Sequence, residues 1–346
     1  MVSDEKKYFG LYTILIVVLI LTFMVSFLVG RYTDLSINDT VKILLNRAFG
    51  VFEKTWSTKA EAVVINMRLP RIVISIMVGA ALSVAGSVYQ GIFSNPIASP
   101  DTLGISNGAS FGAVLGILLG FHTAGIKAMA FIMGIAAVGF VLVSAKMVSK
   151  GRSITVFLIL IGMVVSSVFS AFLSALKYMA DPENQLPQIT YWLMGSFGKV
   201  GNDDILGCII VTAIGIIPLF MMRWHLNLLS LSTEEARSMG VNLTLIRCVS
   251  VFCATLLTAS SAALTGGVAW IGLIIPHITK MIQGNDFRKN MILNVLLGGL
   301  FMLIMDDFAR SISANELPIS ILTSLVGAPV FFVIIVVNRR KLSYED

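Results

Sequence analysis

Residues 66–112 read NMRLPRIVISIMVGAALSVAGSVYQGIFSNPIASPDTLGISNGASFG. Pro70 fits the first turn of a helix, where a missing N–H removes nothing. No charge interrupts Ile72 to Val88, and small residues recur there: Gly79, Ala80, Ala81, Ser83, Ala85 and Gly86. FSNPIASPD then breaks the helix twice, because the residue before each proline is pushed out of helical geometry. Glycine returns every fourth residue, at Gly104, Gly108, Gly112, Gly116 and Gly120. Such a stripe lets membrane helices approach closely. Packing accounts for the glycines, but not for a polar hairpin between two apolar helices.

The rest of the chain has the same character. Hydrophobic residues make up 56% of it, charged residues 13%, and the mean hydropathy is +0.89. Soluble domains carry about 25% charge, so this is an integral membrane protein. Its apolar runs are too long for strands and too continuous for the alternation of a barrel, which makes it all-α. Cys208, Cys248 and Cys253 lie in or beside apolar runs without paired spacing, and His122, His225 and His277 are scattered. Neither a disulfide framework nor a metal site is expected. GxxxxGK[ST], HExxH and GxSxG are absent from the sequence. His277 stands alone beside Pro276 and reads as structural, since acid–base work needs a positioned partner. No catalytic residue and no bound cofactor are expected.

Ten spans are predicted in one domain, 1–346, at about 11–29, 70–90, 103–120, 126–147, 154–178, 205–222, 247–265, 268–283, 291–308 and 320–337. The first is too long for the apolar core of a cleaved signal peptide. Gly266, Gly267 and Pro276 interrupt the eighth. Residues 31–67 read as a long polar connection, where Asn38-Asp39 caps a short amphipathic helix of Val41, Leu44, Leu45 and Phe49. An even number of spans puts both termini on one side. That side collects Lys6, Lys7, Lys146, Lys150, Arg152, Arg223, Arg237, Arg247, Lys280, Arg288, Lys289, Arg339, Arg340 and Lys341. The short loops opposite hold only Lys127, Lys177, Lys199 and Arg310, beside five acids. The bias places both termini in the cytoplasm, the hairpin at 95–100 inside, and Arg68 and Arg71 outside.

Arg68 and Arg71 share a helical face, and Arg310 ends the ninth span on the same side. They either snorkel to headgroups or dock an acidic partner. On the cytoplasmic side, 225–242 reads HLNLLSLSTEEARSMGVN. Ser232 or Thr233 can cap a short helix with Glu234 and Glu235 in its first turn, closed by Gly240. Ser167, Ser170 and Ser174 fall on one face of the fifth span, to line a passage or to bond neighbouring helices. No Asp, Glu, Lys or Arg lies near a helix centre; Lys146, Lys177, Asp306 and Asp307 sit at ends. Intramembrane ionisable groups mark ion-coupled sites. Their absence weighs against a secondary transporter driven by an ion gradient, which the Gly/Pro-broken helices would otherwise suit. An intramembrane enzyme needs a convergent set of reactive groups, which is also missing.

Six segments together resemble the permease subunit of ATP-binding-cassette importers for iron–siderophore chelates, haem or cobalamin (the FecCD type). They are RLPR at 68–71, VGAALSVAGSVYQGIFSNPIASPDTLGISNGAS at 78–110, YWLMGSF at 191–197, LSTEEARSMGVN at 231–242, GGVAWIGLIIPHITK at 266–280 and ELPISILTSLVGAPVFF at 316–332. They follow family order over nearly the whole chain. Ser232 stands where the family often has glycine, and GGVAWIG lacks a proline that often follows its glycines.

The resemblance implies the type II importer permease fold: ten membrane helices in a single domain, and a dimer of permeases, identical or similar, with the passage between them. It implies an ATPase dimer below, carrying ATP and Mg, and an extracytoplasmic substrate-binding protein above, in a cell (inner) membrane. Arg68, Arg71 and Arg310 match the arginines that meet the binding protein. Glu234, Glu235, Ala236 and Gly240 match the coupling helices that press on the ATPase. Asn95, Ile97 and Thr155, with Ser153, match the cytoplasmic gate. Alternating access is the implied mechanism, with an iron–siderophore as the expected cargo.

Overall fold

The computed structural model describes residues 2–30, 36–149, 154–230, 235, 239–313 and 315–342. Among them the chain forms thirteen helices and no strand. They are α1 Val2–Ser26, α2 Ile37–Phe49, α3 Thr58–Ile92, α4 Ile105–Leu118, α5 Thr123–Ser149, α6 Ile154–Met179, α7 Gln185–Met194, α8 Asn202–Met221, α9 Arg223–Leu226, α10 Leu243–Thr265, α11 Ile271–Gln283, α12 Phe287–Ser311 and α13 Ile319–Leu342.

The helix after the arginine pair is the axis of the bundle. α3 packs against α12, α10, α11 and α8, and most of its apolar stretch is buried. Its small residues explain this. A Cβ at Gly79 would run into the backbone of Gly298 on α12, and one at Gly86 into Gly272 on α11. With no hydrophobic drive between helices in lipid, such backbone approach and buried polar links supply the association. Ser83 Oγ, for instance, donates to Asn294 Oδ1 on α12 at 2.9 Å. The glycine stripe does the same for α4. Gly108, Gly112 and Gly116 face α5 at Met133, Met129 and Ile126, while Gly104 meets Ser166 of α6. Gly120 has open space around it and lies just past the end of α4.

Every predicted span has a helix close to it, but three expectations need correction. The connection at 31–67 is only partly irregular, because α3 begins at Thr58, where Ser57 Oγ accepts from Ala60 N–H at 3.1 Å. At 35 residues α3 is about 52 Å long, well beyond a ~30 Å hydrocarbon core. Pro70 therefore lies inside a helix. A π turn at Val63–Arg68 precedes it, and the widened turn relieves the clash of its ring with the preceding carbonyls. The second correction concerns α2. Its cap is Ser36, whose side chain accepts from Asp39 N–H, and it buries Ile43 against Phe27, Trp56, Val64, Ile72 and Leu303. Val41, Leu45 and Phe49 are exposed.

Third, among the described residues eight helices are long and apolar enough to cross a membrane: α1, α3, α5, α6, α8, α10, α12 and α13. The third and eighth predicted spans contain only 14 and 13 helical residues, about 20 Å each. Both start midway through the bundle. The 3₁₀ turn Pro100–Leu103 leads into α4. Its neighbours are Gly162 and, through Gly104, Ser166 in the middle of α6. Gly272, at the start of α11, lies against Pro100 and against Leu82 of α3. The hairpin at 93–104 completes one span and the non-helical 266–270 the other, in opposite directions.

α7 is a helix the predicted spans lacked. Gly195 ends it and accepts at its carbonyl from Ile319 N–H. Tyr12 donates to Gln283 and to the carbonyl of Lys289, both at the hairpin end of the bundle. Ser26 bonds Asp307 at the arginine end. α1 therefore begins at the hairpin end, and α13, which starts beside Gly195 and packs Phe331 on His277, runs toward that same end, as an even number of crossings requires.

Candidate functional site

At the arginine end, three cations and three carboxylates form one closed cluster. Arg71 grips Asp306 through Nε at 3.0 Å and Nη2 at 2.8 Å, and Glu316 through Nη1 at 2.8–2.9 Å. Arg310 pairs with Asp306 at 3.3 Å and with Asp307, and its Nη1 donates to the carbonyls of Ser26 and Val29. Arg68 donates to the carbonyl of Phe27. All three guanidiniums are buried, Asp306 is fully enclosed, and Glu316 keeps 36% of its side chain exposed. The cluster is neutral by formal charge. A cavity of about 390 Å³ opens beside it, lined by Arg68, Arg71, Arg310, Glu316, Asn66 and Phe197.

The three arginines that the sequence groups on one side meet in the structure, and all three are buried. They are neither snorkelling nor exposed, because carboxylates over 230 residues away along the chain already hold Arg71. Those partners carried no local signal. The ELP of 316–318 was visible only as part of a motif.

At the other end, Asn95 Oδ1 accepts from Ile97 N–H at 3.0 Å, a local bond that sets the turn and leaves the Ile97 side chain exposed. Thr155 is half-buried in the first turn of α6. Phe93 and Ala98 of the hairpin share an apolar cluster with Ile154 and Phe157, so hairpin and α6 meet. Ser153 lies outside the described residues. Behind the hairpin is a cavity of about 800 Å³ lined by Gln90, Asn95, His277, Lys280 and Asp286 among others. Lys280 Nζ donates to Gln90 Oε1 at 2.9 Å, and His277 packs edge-on to Phe331 at 6.0 Å.

The expected coupling segment is described only at its edges. Glu234 and Ala236 fall outside the described residues; Glu235 and Gly240 are exposed. Met239 N–H bonds the Glu235 carbonyl at 3.3 Å, and Gly240 has φ 73°, a left-handed turn that suits glycine. Just before it, Asn227 bridges to the next helix pair. It donates to Asp286 Oδ1 and accepts from Phe287 N–H, both at 2.8 Å. The bond from Arg288, with help from Asn227, holds the Asp286 carboxyl at about 2.

Midway along α6, Ser167, Ser170 and Ser174 are all exposed, and Ser167 and Ser174 bond carbonyls of their own helix. The inter-helix bond is made by Ser166 instead, which accepts from Asn107 of α4 at 2.6 Å. Ionisable groups do occur at mid-depth, contrary to expectation. Asp101 sits on the 3₁₀ turn there, exposed and bonded to Ser106. The sequence hid it because a carboxylate after a proline in a hairpin reads as a loop residue.

An all-helical bundle with two broken spans, a neutral charge cluster at one end and a polar hairpin at the other is the architecture of a membrane permease. The FecCD transport family model matches residues 18–337, and the chain belongs to that family of ABC transporter permeases. It is 36% identical over 338 residues to the molybdate import permease MolB of Haemophilus influenzae, covering 98% of this chain and 97% of that one. A Helicobacter pylori protein described as a probable iron chelatin permease is 33% identical, over 86% of this chain and 90% of its own. A solved ABC transporter, described as metal-chelate type and inward-facing, superposes with a TM-score of 0.83 at 35% identity, covering 96% of this chain and 99% of the other. This chain is a multi-pass membrane permease.

Proposed function

We propose that the chain is the membrane-spanning subunit of an ATP-driven importer that moves an iron–siderophore or related chelate handed over by a binding protein. The observation that carries the reading is the family match along residues 18–337, which also favours it over an ion-driven secondary transporter. Hydrolysis of ATP, with its Mg, is assigned to a separate ATPase; this chain supplies no catalytic group and binds no cofactor. The relatives are named for molybdate as well as iron chelates, so the cargo is the finer part of the proposal.

Both termini are placed in the cytoplasm of a cell (inner) membrane, on the lysine and arginine bias. The arginine end then faces outward. Docking there is proposed as an exchange: an acidic side chain of the binding protein takes the place of half-exposed Glu316 on Arg71. Inside, Glu234, Glu235, Ala236 and Gly240 press on the ATPase, and the Asn227–Asp286 bridge carries that motion to α12. Asn95, Ile97 and Thr155 form the cytoplasmic gate. The exposed face of Ser167, Ser170 and Ser174 lines the passage, closed from the far side by a second permease subunit of the same sequence. Each step needs differential affinity for two conformations.

The test is to isolate the tagged chain from its native membrane and identify its companions by mass spectrometry. An ABC ATPase and an extracytoplasmic binding protein are expected, with the chelate on the latter naming the cargo. Recovery of the chain alone, with uptake that collapses when the ion gradient is dissipated, would overturn the reading.

A further inference from the structure

Asp101 is the one described carboxylate that is both exposed and at mid-depth. Its turn, Pro100–Leu103, packs on α3, on the middle of α6 and on the start of α11. When ionised, a carboxylate at that depth must face a water-filled space, because facing lipid tails carries a large cost. The same side of the bundle continues as hydroxyls and amides. Ser106 bonds the carboxylate, Asn107 and Ser110 follow on α4, and Ser167 and Ser170 are exposed on the neighbouring α6. The wall mixes these hydroxyls with the exposed apolar Leu160 and Met163 of α6. Asp101 makes no ion pair among the described residues, and α6 carries no cation before Lys177. A cavity of about 230 Å³ is lined by Asp101 itself with Ser99, Ser106, Thr258 and residues 268–273.

The ends of α4 and α11 come close to this carboxylate, and each contributes about half a positive charge. Gly104, Ile271 and Gly272 are buried while Asp101 is exposed. The helix ends thus lie behind the carboxylate and hold it, and the charge nearest the water is negative.

We propose that Asp101, exposed on the hydroxyl-lined mid-depth wall, is a charge filter that passes neutral or cationic cargo such as a metal chelate and holds back small oxyanions. The inference deepens the importer reading and rests on it for the identity of the wall as the passage. In a symmetric pair of subunits two such carboxylates act together, and an oxyanion meets both with no fixed cation at that level of either described chain.

The test reads local potential without needing the cargo. The three native cysteines, Cys208, Cys248 and Cys253, are replaced by serine or alanine, and Ser110→Cys is introduced one turn from Ser106. The full chain in proteoliposomes is then treated with methanethiosulfonates carrying either a trimethylammonium or a sulfonate group. Each forms a mixed disulfide with the thiolate and releases methanesulfinate. Relative to a free thiol, the cationic reagent is expected to win by about tenfold, and Asp101→Asn, which keeps a partner for Ser106, should bring the ratio to within about twofold of the free thiol. An unchanged ratio overturns the filter, and so does failure of both reagents to react, since the wall would then be dry. A second arm uses the complex reconstituted with its ATPase and binding protein. Uptake of molybdate as fast as of a ferric chelate overturns the selectivity. ATP-driven uptake of neither would instead sink the importer reading, and the cysteine ratios would still decide the potential at Asp101.

Discussion

Replacing Arg71 by methionine tests the charge cluster most directly. The substitution keeps length and apolar stem but strips Asp306 of its two shortest ion-pair contacts. Removing one partner of a buried pair costs about 3–5 kcal/mol, because the other charge is left uncompensated. Here Arg310 still approaches Asp306 at 3.3 Å, so the expected loss lies near the lower end, about 3 kcal/mol. Glu316 sets the contrast. Its bonds to Arg71 are as short, but it is 36% exposed, and an ion pair in contact with water is worth at most about 1 kcal/mol. Glu316→Gln should therefore cost no more than that. The assay is a mixed-micelle unfolding titration of Arg71→Met, Asp306→Asn, Glu316→Gln and the double variants. Arg71 and Asp306 should couple by about 2–3 kcal/mol, in the upper range for contacting residues. Equal costs for Arg71→Met and Glu316→Gln would show that burial does not govern this cluster and would refute the argument.

Glu316→Gln has a second expected effect: with the internal competitor weakened, the binding protein should bind the permease several-fold more tightly, measurable by titration into nanodiscs, and weaker binding would contradict the exchange. Lysines at Glu234 and Glu235 should leave ATP hydrolysis running without uptake; coupled transport at the normal rate would remove the coupling role. The Asp286 carboxyl is held at about 2, below the ordinary 3.8. Its contribution to stability is therefore complete above about pH 4 and is lost as pH falls toward 2. Asp286→Asn should erase that part of the acid-unfolding curve, and an unaltered curve would show that the bridge to Asn227 and Arg288 adds nothing. Gly86→Ala drives a methyl into the backbone of Gly272 and should cost about 1–3 kcal/mol. Gly139→Ala, with nothing within 4 Å, should gain about 0.5–1 kcal/mol from helix propensity, and thermal unfolding would compare the two.

What was legible in the sequence was local. Apolar runs placed a helix near each of the ten predicted spans, although α1 and α3 begin about ten residues before their apolar runs, and the glycines of α4 announced their own contact with α5, because a four-residue repeat is a statement about one helix face. The failures were of depth and distance. Nothing near Arg71 indicates Asp306 or Glu316, since the pairing is created by α12 folding beside α3. The start of α3 at Thr58 was hidden because TKAEAVVINM is polar by membrane standards, yet it forms a helix that projects beyond the hydrocarbon. Apolar stretches of full length at 103–120 and 268–283 suggested complete crossings, whereas the first residues of each are spent on a turn. Asp101 was misjudged for the same reason, since a loop in sequence became the centre of the bundle in space. The serine stripe on α6 was placed correctly as a face, and its exposure could not be read from spacing.

The two interrupted spans have a mechanical consequence. In a continuous helix, hydrogen bonds along the whole rod make a push at one membrane surface arrive at the other. Where 93–104 meets α4, and where 266–270 meets α11, that rod is missing, and the two breaks lie side by side at Gly272 and Pro100. The half of one crossing nearer the hairpin end and the half of the other nearer the arginine end are irregular chain. Each surface can accordingly be reshaped through its own non-helical half while the opposite half-helix stays seated on α3. A carrier that must never open to both sides at once gains from joints at the middle of the membrane.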